Sequence, residues 1–246
     1  MELNFAKMEP LKSYQHVVNE IESAIFDGTL KEGDRLPSEN KLKELFSTSR
    51  GTIREALRVL ENKGLVSIKT GVKGGATVKE ANTEAMSDGM AVLIRQQQVS
   101  LEHLAEFRAF LEGYAAEQAA VLANSQQLAE LSTMVSDIKA HVESKPNGWN
   151  EFNRLDGDFH RKVAEIAGNP LIIANLTTIH ENIHGYFQQF LPFSLELLKE
   201  DFDDLAKISA AIEAGDRAEA GEAARSHINK FNNLMRTKKQ QEARVN

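Results

Sequence analysis

The sequence predicts a mainly α-helical protein, with an N-terminal winged helix-turn-helix followed by an all-α bundle of six to seven helices. Three observations predict this class. First, cap and turn residues within 38–64 predict two short helices separated by a turn. Second, alternating apolar residues on both sides of a glycine-rich turn predict a two-stranded wing over 65–78. From about residue 83 onward, apolar residues recur only at helical spacing. At 246 residues, the chain is long enough to form two cores.

The first helix of the motif is predicted from its start signals. Pro37 is tolerated just before a helix start, and the hydroxyl of Ser38 can accept a hydrogen bond from a free backbone N–H of the first turn. Apolar residues at Leu42, Leu45 and Phe46 then fall at helical spacing. An upstream helix that would cover the back of the motif is predicted from the apolar residues Val17, Val18, Ile21 and Ile25.

The second helix begins near Ser49 and places arginines and apolar residues on different faces. Arg50 and Arg54 lie four residues apart and therefore share one face. Gly64 stands where a glycine commonly ends a helix, and strands are predicted on both sides of the turn 70–75. The opposite face of this helix is an apolar stripe made of Ile53, Ala56, Leu57 and Leu60.

Basic charge is concentrated in the same segment. Residues 41–79 carry nine basic and three acidic side chains, whereas the whole chain has a net charge of −7. An acidic protein with one basic region suits contact with phosphates at one end only. The spacing of Arg50, Arg54 and Arg58 alone would equally fit a solvated helix face, but the caps, turn and wing in this order favour DNA binding.

Residues 30–79 resemble the winged-helix domain of GntR-type bacterial transcription regulators. This resemblance implies that Arg50 and Arg54 contact DNA, with Ser49 and Thr52 on phosphates. Ser38 is a further expected DNA-binding residue, and the resemblance also implies that Thr70 and Gly71 of the wing reach towards the minor groove. Where the family usually has arginine after its Ser-Glu pair, this chain has Asn40, so base preference there differs or that contact is lost. The matching residues are Leu30, Gly33, Leu36, Pro37, Ser38, Glu39, Ser49, Arg50, Thr52, Arg54, Glu55, Ala56, Leu57, Leu60, Gly64 and Leu65.

The remainder of the chain predicts a helical domain joined by a short linker. We expect a DNA-binding domain over 1–79, a linker over 80–84, an all-α ligand-binding and dimerisation domain over 85–238, and a charged tail over 239–246. The predicted helices are 84–98, 100–123, 125–143, 148–167, 170–190, 195–213 and 216–238.

Several polar residues of the second domain fall on apolar helix stripes. Arg108 does so alone, Asp156 and His160 form an i, i+4 pair, and His227 lies between alanines and Phe231. Because buried charge is costly unless it is paired or ligating, such residues on different helices predict one polar cavity. Each also has a structural alternative, such as a salt-bridged pair or a hydrogen-bonded core histidine. The pair His180 and His184 fits the polar edge of a stripe better than a site.

Residues from about 100 to 236 resemble the FCD-type helical effector domain of the FadR subfamily. The resemblance implies a divalent metal of the Zn, Ni or Mn type on Asp156, His160 and His227, with a small carboxylate bound against it and Arg108. The usual fourth ligand, a histidine, is replaced by Leu205, and His184 is the best-placed substitute by sequence. The matching segments are Glu106-Phe107-Arg108, Leu111-Glu112, Asp156, Phe159-His160, 167–170, Ala211-Ile212, Gly215-Asp216 and His227.

Composition restricts the remaining function classes. The chain has no cysteine, so thiolate metal sites and disulfides are excluded, and no apolar run is long enough to span a bilayer. Without a signal-peptide pattern, we expect a cytoplasmic protein. We therefore expect a homodimeric, ligand-responsive transcription regulator that reads a palindromic operator and is not an enzyme. Two alternatives stay open: a constitutive dimeric DNA binder without effector, and a metal-dependent enzyme using Asp156, His160 and His227.

Overall fold

The computed structural model describes residues 13–71, 74–80, 83–144, 149–191 and 194–245. The chain divides into two compact units, with the boundary between Ala85 and Met86. In the described ranges there are eleven helices and one two-stranded sheet, so the predicted fold class is confirmed. No helix among the described residues is long and apolar enough to cross a membrane.

The N-terminal unit is a winged helix-turn-helix. Its elements are α1 (Ser13–Phe26), α2 (Glu39–Leu45), α3 (Arg50–Asn62), β1 (Val66–Lys69) and β2 (Gly75–Val78). Both α1 and α2 pack against α3. The predicted apolar stripe of α3 is buried at all four positions, and it meets Val17, Val18 and Ile21 of α1 in one core. This core holds α3 so that its polar face is exposed.

Local capping determines where α2 and α3 begin and end. The hydroxyl of Ser38 accepts from the backbone N–H of Lys41 at 3.3 Å, and that of Ser49 accepts from Thr52 at 3.1 Å. Gly64 has a φ of 75°, which lets the chain leave α3 by the left-handed turn predicted from the sequence.

The wing is an antiparallel hairpin in which Val66 pairs with Val78 and Lys69 pairs with Gly75. A Cβ at position 74 would collide with the carbonyl oxygen of Lys69, so glycine is required where the hairpin closes. The segment before α2 pairs with β2 at a single isolated bridge between Arg35 and Thr77, and the N–H of Leu36 donates to the carbonyl of Ala76 at 2.9 Å. Residues 72–73 of the predicted wing turn and residues 81–82 of the predicted linker lie outside the described residues.

The C-terminal unit is built entirely of helices in its described part. They are α4 (Glu84–Arg95), α5 (Leu101–Leu122), α6 (Ser125–Ser144), α7 (Trp149–Ala167), α8 (Pro170–Asn182), α9 (His184–Phe190), α10 (Leu195–Glu213) and α11 (Arg217–Val245). The stretch 170–190, predicted as one helix, is two helices. The break lies at Ile183, which caps α8 by donating to the carbonyl of Ile179. The last helix continues to Val245, because the polar residues after 236 include neither glycine nor proline.

Helix α5 lies at the centre of this unit and packs against α7, α8, α10 and α11. The approach of α5 to α11 is close. Gly113 of α5 leaves room for the side chain of Arg225, and Gly221 of α11 leaves room for Glu117. Alanines line both sides of this contact: Ala115, Ala116, Ala119, Ala220, Ala223 and Ala224. This close packing buries the polar residues of α5 and α11 beside those of α7, α8 and α10.

Candidate functional site

The arginines of α3 lie on the exposed face of the winged helix-turn-helix. The side chains of Arg50 and Arg54 are 57% and 56% exposed. Both Nε atoms donate to the same Oε2 of Glu39 on α2, at 2.8 Å and 3.0 Å. The hydrogen bond from Arg50, with a further one from Arg54, outweighs partial burial and lowers the pKa of Glu39. The carboxylate therefore aligns two guanidinium groups side by side without removing them from the surface.

The other DNA-binding residues predicted from the sequence also lie on this unit. Ser49 and Thr52 occupy the start of α3, where their hydroxyls form a 2.9 Å hydrogen bond. Ser38 caps α2 and is exposed, as are Thr70 and Gly71 at the wing. Asn40, at the position that departs from the resembled family, is an exposed residue of α2. The three hydroxyl residues at the helix starts therefore have a structural role in addition to any contact with DNA.

A cluster of buried polar side chains lies inside the helical unit. It draws residues from five helices that are far apart in sequence, and each of its members is at most 7% exposed. The members are Arg108 and Glu112 of α5, Asp156 and His160 of α7, His180 of α8, Asp201 of α10 and His227 of α11. The polar cavity predicted from Arg108, Asp156, His160 and His227 thus brings together these four residues and adds three others.

His160 lies at the centre of the cluster, between two carboxylates. Its Nδ1 is 2.8 Å from Oε2 of Glu112, and its Nε2 is 3.3 Å from both Oδ1 of Asp156 and Nε2 of His227. Burial disfavours the charged imidazole, but Glu112 and Asp156 outweigh it and raise the pKa of His160 to about 10. Burial likewise disfavours the Asp156 carboxylate, yet His160 lowers the pKa of Asp156 to about 2.

Glu112 connects His160 to His180. Its Oε1 accepts from Nε2 of His180 at 2.7 Å, and Nη2 of Arg108 lies 3.5 Å from the same oxygen. Burial opposes the charged form of Glu112, but His160 and His180 outweigh it and keep its pKa well below the usual range. Burial lowers the pKa of His180 to about 4, so His180 is a neutral donor at neutral pH.

His227 is oriented from the other side of the cluster by α10. Its Nδ1 is 3.4 Å from Oδ2 of Asp204 and 3.5 Å from Oδ1 of Asp201. Burial lowers the pKa of His227, so its neutral ring donates from Nδ1 and leaves Nε2 as an acceptor facing His160. Asp204 is also bound by Lys230 at 2.5 Å. Burial and the nearby charge of Asp156 raise the pKa of Asp201 well above the usual value.

Two overlapping sets of side chains in the described part of the chain could hold a metal ion: Glu112, His160 and His180, or Asp156, His160 and His227. In the first set both oxygens of Glu112 are already hydrogen-bonded to the two imidazoles. In the second set, Oδ1 of Asp156 is buried without a hydrogen-bond partner. Nε2 of His160 lies 3.3 Å from both Oδ1 of Asp156 and Nε2 of His227, and the last two atoms are 3.9 Å apart. Tetrahedral zinc with bonds near 2.0–2.1 Å has ligand separations of about 3.4 Å, so the second set fits a metal better.

A small cavity adjoins the second set. Its volume is about 20 Å³, enough for one water-sized occupant. Three of the buried polar atoms that lack a partner belong to residues lining it, namely Nε of Arg108, Oδ1 of Asp156 and Oδ1 of Asp201. The remaining lining residues are Asn153, Phe187, Leu191, His227, Ile228 and Phe231. The cavity therefore combines one cationic side and one acidic side with an apolar wall.

The structure does not bring His184 into the cluster. This residue is exposed at the start of α9 and meets the ring of Phe187 edge-on, because the break at Ile183 separates it from α8. His180 of α8, not His184, is the member of the cluster from this stretch. Leu205, at the position of the usual fourth ligand, is fully buried in the apolar core.

Sequence reasoning also left Glu112, His180 and Asp201 out of the predicted site. The spacing contained a signal for two of them. Glu112 follows Arg108 by one helical turn, and Asp201 precedes Leu205 by one turn on an otherwise apolar stripe.

Comparison with protein families gives two matches. Residues 13–78 match the family described as "Bacterial regulatory proteins, gntR family", and residues 103–230 match the FCD domain. The second match contains all seven members of the buried polar cluster, and the first contains Arg50 and Arg54 of α3.

Curated relatives and solved structures agree with these matches. The chain is 32% identical over 220 residues to the HTH-type transcriptional repressor NanR of Enterobacter sp. (strain 638), covering 87% of this chain and 81% of the relative. It is 30% identical over 224 residues to NanR of Escherichia coli (strain K12), covering 89% and 82%. Among solved structures, Streptococcus agalactiae GntR has a similar fold, with a TM-score of 0.61, 24% identity and coverage of 89% of this chain and 99% of that chain.

Proposed function

The chain belongs to the gntR family of bacterial regulatory proteins and carries an FCD domain, and from this premise we propose how it recognises DNA and what it senses. It is a DNA-binding transcriptional regulator with an effector-binding C-terminal domain, and it is not an enzyme, as predicted from the sequence. A constitutive DNA binder, the other alternative, does not account for the FCD domain. The observation that carries the proposal is the buried polar cluster around His160 in the helical unit, in a chain whose winged unit exposes Arg50 and Arg54 of α3.

For DNA, we propose that α3 enters the major groove and that Arg50 and Arg54 contact base edges there. Ser38, Ser49 and Thr52 then contact phosphates at the two helix starts, and Thr70 and Gly71 of the wing reach the minor groove. The exposed, paired guanidinium groups support this assignment, because Glu39 holds both on the same face of α3. A homodimer presenting two such helices reads a palindromic operator, since two-fold symmetry requires two half-sites.

The test begins with binding sites selected from a random duplex library by the full-length protein. Arg54→Ala should weaken binding to the recovered site by about 1–3 kcal/mol and relax base preference at one position of each half-site. Lys63→Ala, at the other end of α3 where Lys63 pairs with Glu22 at 2.5 Å, is the matched control and should change little. Unchanged affinity of Arg54→Ala at fixed salt would contradict the DNA assignment, and recovered sites without two-fold symmetry would contradict the homodimer.

For the effector, we propose a small carboxylate bound beside Arg108 in the cavity, together with a divalent metal held by Asp156, His160 and His227. A bound divalent ion supplies a Lewis-acidic position that a carboxylate can occupy. The chain's own residues prepare this site, because Glu112 fixes the ring of His160 from Nδ1 and Asp204 fixes His227 from Nδ1. A divalent ion of the Zn, Ni or Mn type suits this set of two imidazoles and one carboxylate.

The size of the cavity supports a coupling between effector and DNA. A cavity of about 20 Å³ holds no organic acid, so such a ligand has to displace wall side chains such as Phe187 and Phe231. The ligand therefore binds a rearranged bundle more tightly than this one, and that difference in affinity is what can alter operator binding.

The effector site is tested by thermal stability of the full-length protein with Zn²⁺ and a panel of organic acids. Zn²⁺ should raise the melting temperature of the wild type but not that of His160→Ala, and acids should add a further increase that Arg108→Ala removes. An equal Zn²⁺ response in His160→Ala would contradict the metal site. No response to acids across the panel would contradict the carboxylate effector.

The relatives named above are called repressors, and we propose that this chain also represses. A reporter gene placed behind the recovered operator in bacteria should be expressed at a lower level when the protein is present. Increased expression would indicate activation instead. Since its target is chromosomal DNA, we place the regulator in the cytoplasm.

A further inference from the structure

The unpartnered polar atoms of the described chain are concentrated around one cavity. Four buried side-chain nitrogen or oxygen atoms in the described ranges have no hydrogen-bond partner, and three of them belong to Arg108, Asp156 and Asp201 of the cavity lining. The fourth, Oδ1 of Asn232, belongs to a residue outside this lining. An unpaired buried polar group is costly, so three at one place indicate a ligand that supplies their partners.

The three atoms require different partners. Nε of Arg108 donates, so it needs an acceptor such as a carboxylate oxygen. Oδ1 of Asp156 accepts, so it needs either a metal ion or a hydrogen-bond donor. A carboxyl that holds its proton on one oxygen still accepts through the other, so the unpartnered Oδ1 of Asp201 also needs a donor. The proposed metal accounts for Asp156, whereas Asp201 belongs to neither of the two residue sets that could hold an ion.

Nothing else in the described part of the chain satisfies Oδ1 of Asp201. The nearest candidate donor, Nδ1 of His227, hydrogen-bonds Asp204 and lies 3.5 Å from Oδ1 of Asp201. The nearby cation Lys230 is bound to Asp204 at 2.5 Å and lies 3.9 Å from Glu200. Asp204 therefore takes both groups that could have served Asp201, and Asp201 keeps an acceptor at the cavity.

We infer that Asp201 is a specificity-determining residue, which selects an effector carrying a hydroxyl or ammonium donor close to its carboxylate. This inference rests on the proposed carboxylate effector and adds its chemical class: a hydroxy acid or an amino acid, rather than a simple alkyl acid. A carboxylate without such a donor leaves the oxygen of Asp201 unpaired and places a second acceptor beside it. A ligand with the donor satisfies Arg108 and Asp201 together.

The experiment compares matched acids that differ only in the donor. Dissociation constants are measured by titration calorimetry on the full-length protein, with and without Zn²⁺. The probes are propionate, lactate and alanine in one series, and succinate, malate and aspartate in another. In at least one series the hydroxy or amino acid should bind roughly 10- to 100-fold more tightly than the alkyl acid, as expected for a hydrogen bond to a buried acidic group.

Variants at position 201 connect this preference to the side chain. Asp201→Ala removes the acceptor and should reduce the preference to within about threefold. Asp201→Asn keeps an acceptor oxygen but cannot ionise, so a preference for an ammonium should decrease while a preference for a hydroxyl is largely retained. The matched control is Asp203→Asn, an exposed aspartate on the same helix, which should retain the wild-type preference. Asp201→Ala removes a buried unpaired group and Asp201→Asn keeps the size of the side chain, so both variants should fold, and their melting curves check this.

The outcomes separate this inference from the proposed function. Equal binding of the alkyl, hydroxy and amino acids, or a preference that survives in Asp201→Ala, would overturn the role of Asp201 and leave the carboxylate effector standing. Absence of binding by every acid, in wild type and variants alike, would contradict the carboxylate effector itself and the inference with it.

Discussion

The charged state of His160 predicts how the stability of the helical unit depends on pH. In the metal-free protein the pKa of His160 is about 10, whereas an unfolded chain has a histidine pKa near 6.5. Between these values the folded state holds one proton more than the unfolded state. The stabilisation is therefore complete below the unfolded pKa and is lost as pH rises towards the folded pKa. The slope reaches about 1.4 kcal/mol per pH unit, or roughly 2–3 kcal/mol between about pH 7 and pH 9.

Glu112→Gln is the perturbation that tests this reasoning. It removes the carboxylate that lies 2.8 Å from Nδ1 of His160 and 2.7 Å from His180. Breaking a buried ion pair in this way should cost about 3–5 kcal/mol near neutral pH. It should also flatten the pH dependence, because the variant no longer holds the extra proton so tightly. Glu219→Gln, which affects an exposed pair with Lys207 at 2.9 Å, is the control and should cost less than about 1 kcal/mol.

Urea unfolding at several pH values, with a chelator present, measures both effects. Trp149 is the only tryptophan of the chain and stacks on Phe152 in the helical unit, so its fluorescence reports unfolding of that unit. The chain has no cysteine, which removes one group that would otherwise titrate in this range. Wild-type stability that stays constant or rises from pH 7 to pH 9 would refute the reasoning, as would an unchanged slope in Glu112→Gln.

Three further predictions concern metal binding and stability. Glu112→Gln should also weaken Zn²⁺ binding by roughly 10- to 100-fold in a competition titration, and unaltered affinity would exclude Glu112 as the group that orients His160. Gly168→Ala should lower stability by about 1 kcal/mol, because Gly168 has a φ of 76°, which an alanine adopts only with strain. Gly89→Ala, in an open part of α4, should raise stability by about 0.5–1 kcal/mol. Thermal melts that rank the two variants the other way would contradict this. Leu57→Ala removes a buried side chain and should destabilise the winged unit by about 2–5 kcal/mol. Leu45→Ala, at an exposed position, should change the stability of that unit by less than about 0.5 kcal/mol. Equal losses for the two variants in circular dichroism melts would contradict the assignment of the buried stripe.

The winged helix-turn-helix could be predicted in detail because its signals are local. The stripe of Ile53, Ala56, Leu57 and Leu60 follows from helical spacing, and the cap at Ser49 depends on a residue three positions away. The wing likewise follows from alternation and glycines within one short segment. Each of these signals connects residues that are near in sequence, so no knowledge of long-range packing was needed.

The proposed effector site could be predicted only in part, because its geometry depends on how distant helices pack. Helical spacing placed Asp156 and His160 on one face and identified Arg108 as buried. It could not show that the chain breaks at Ile183, where neither glycine nor proline stands, and so it favoured His184 over His180 as a metal ligand. Nor could it show that α10 presents Asp201 to the cavity while Leu205 enters the apolar core, since that depends on the rotation of α10 against its neighbours.

The origin of the buried polar cluster in five separate helices has a consequence for how this domain responds and evolves. A molecule held there is in contact with α5, α7, α10 and α11 at once, so losing any one of these helices removes the whole site. Partial sensing by a truncated domain is therefore not expected. Conversely, exchanging one cavity side chain can alter which metabolite is recognised while the helix packing and the DNA-reading unit stay as they are, which gives a descendant chain a short route to a new signal.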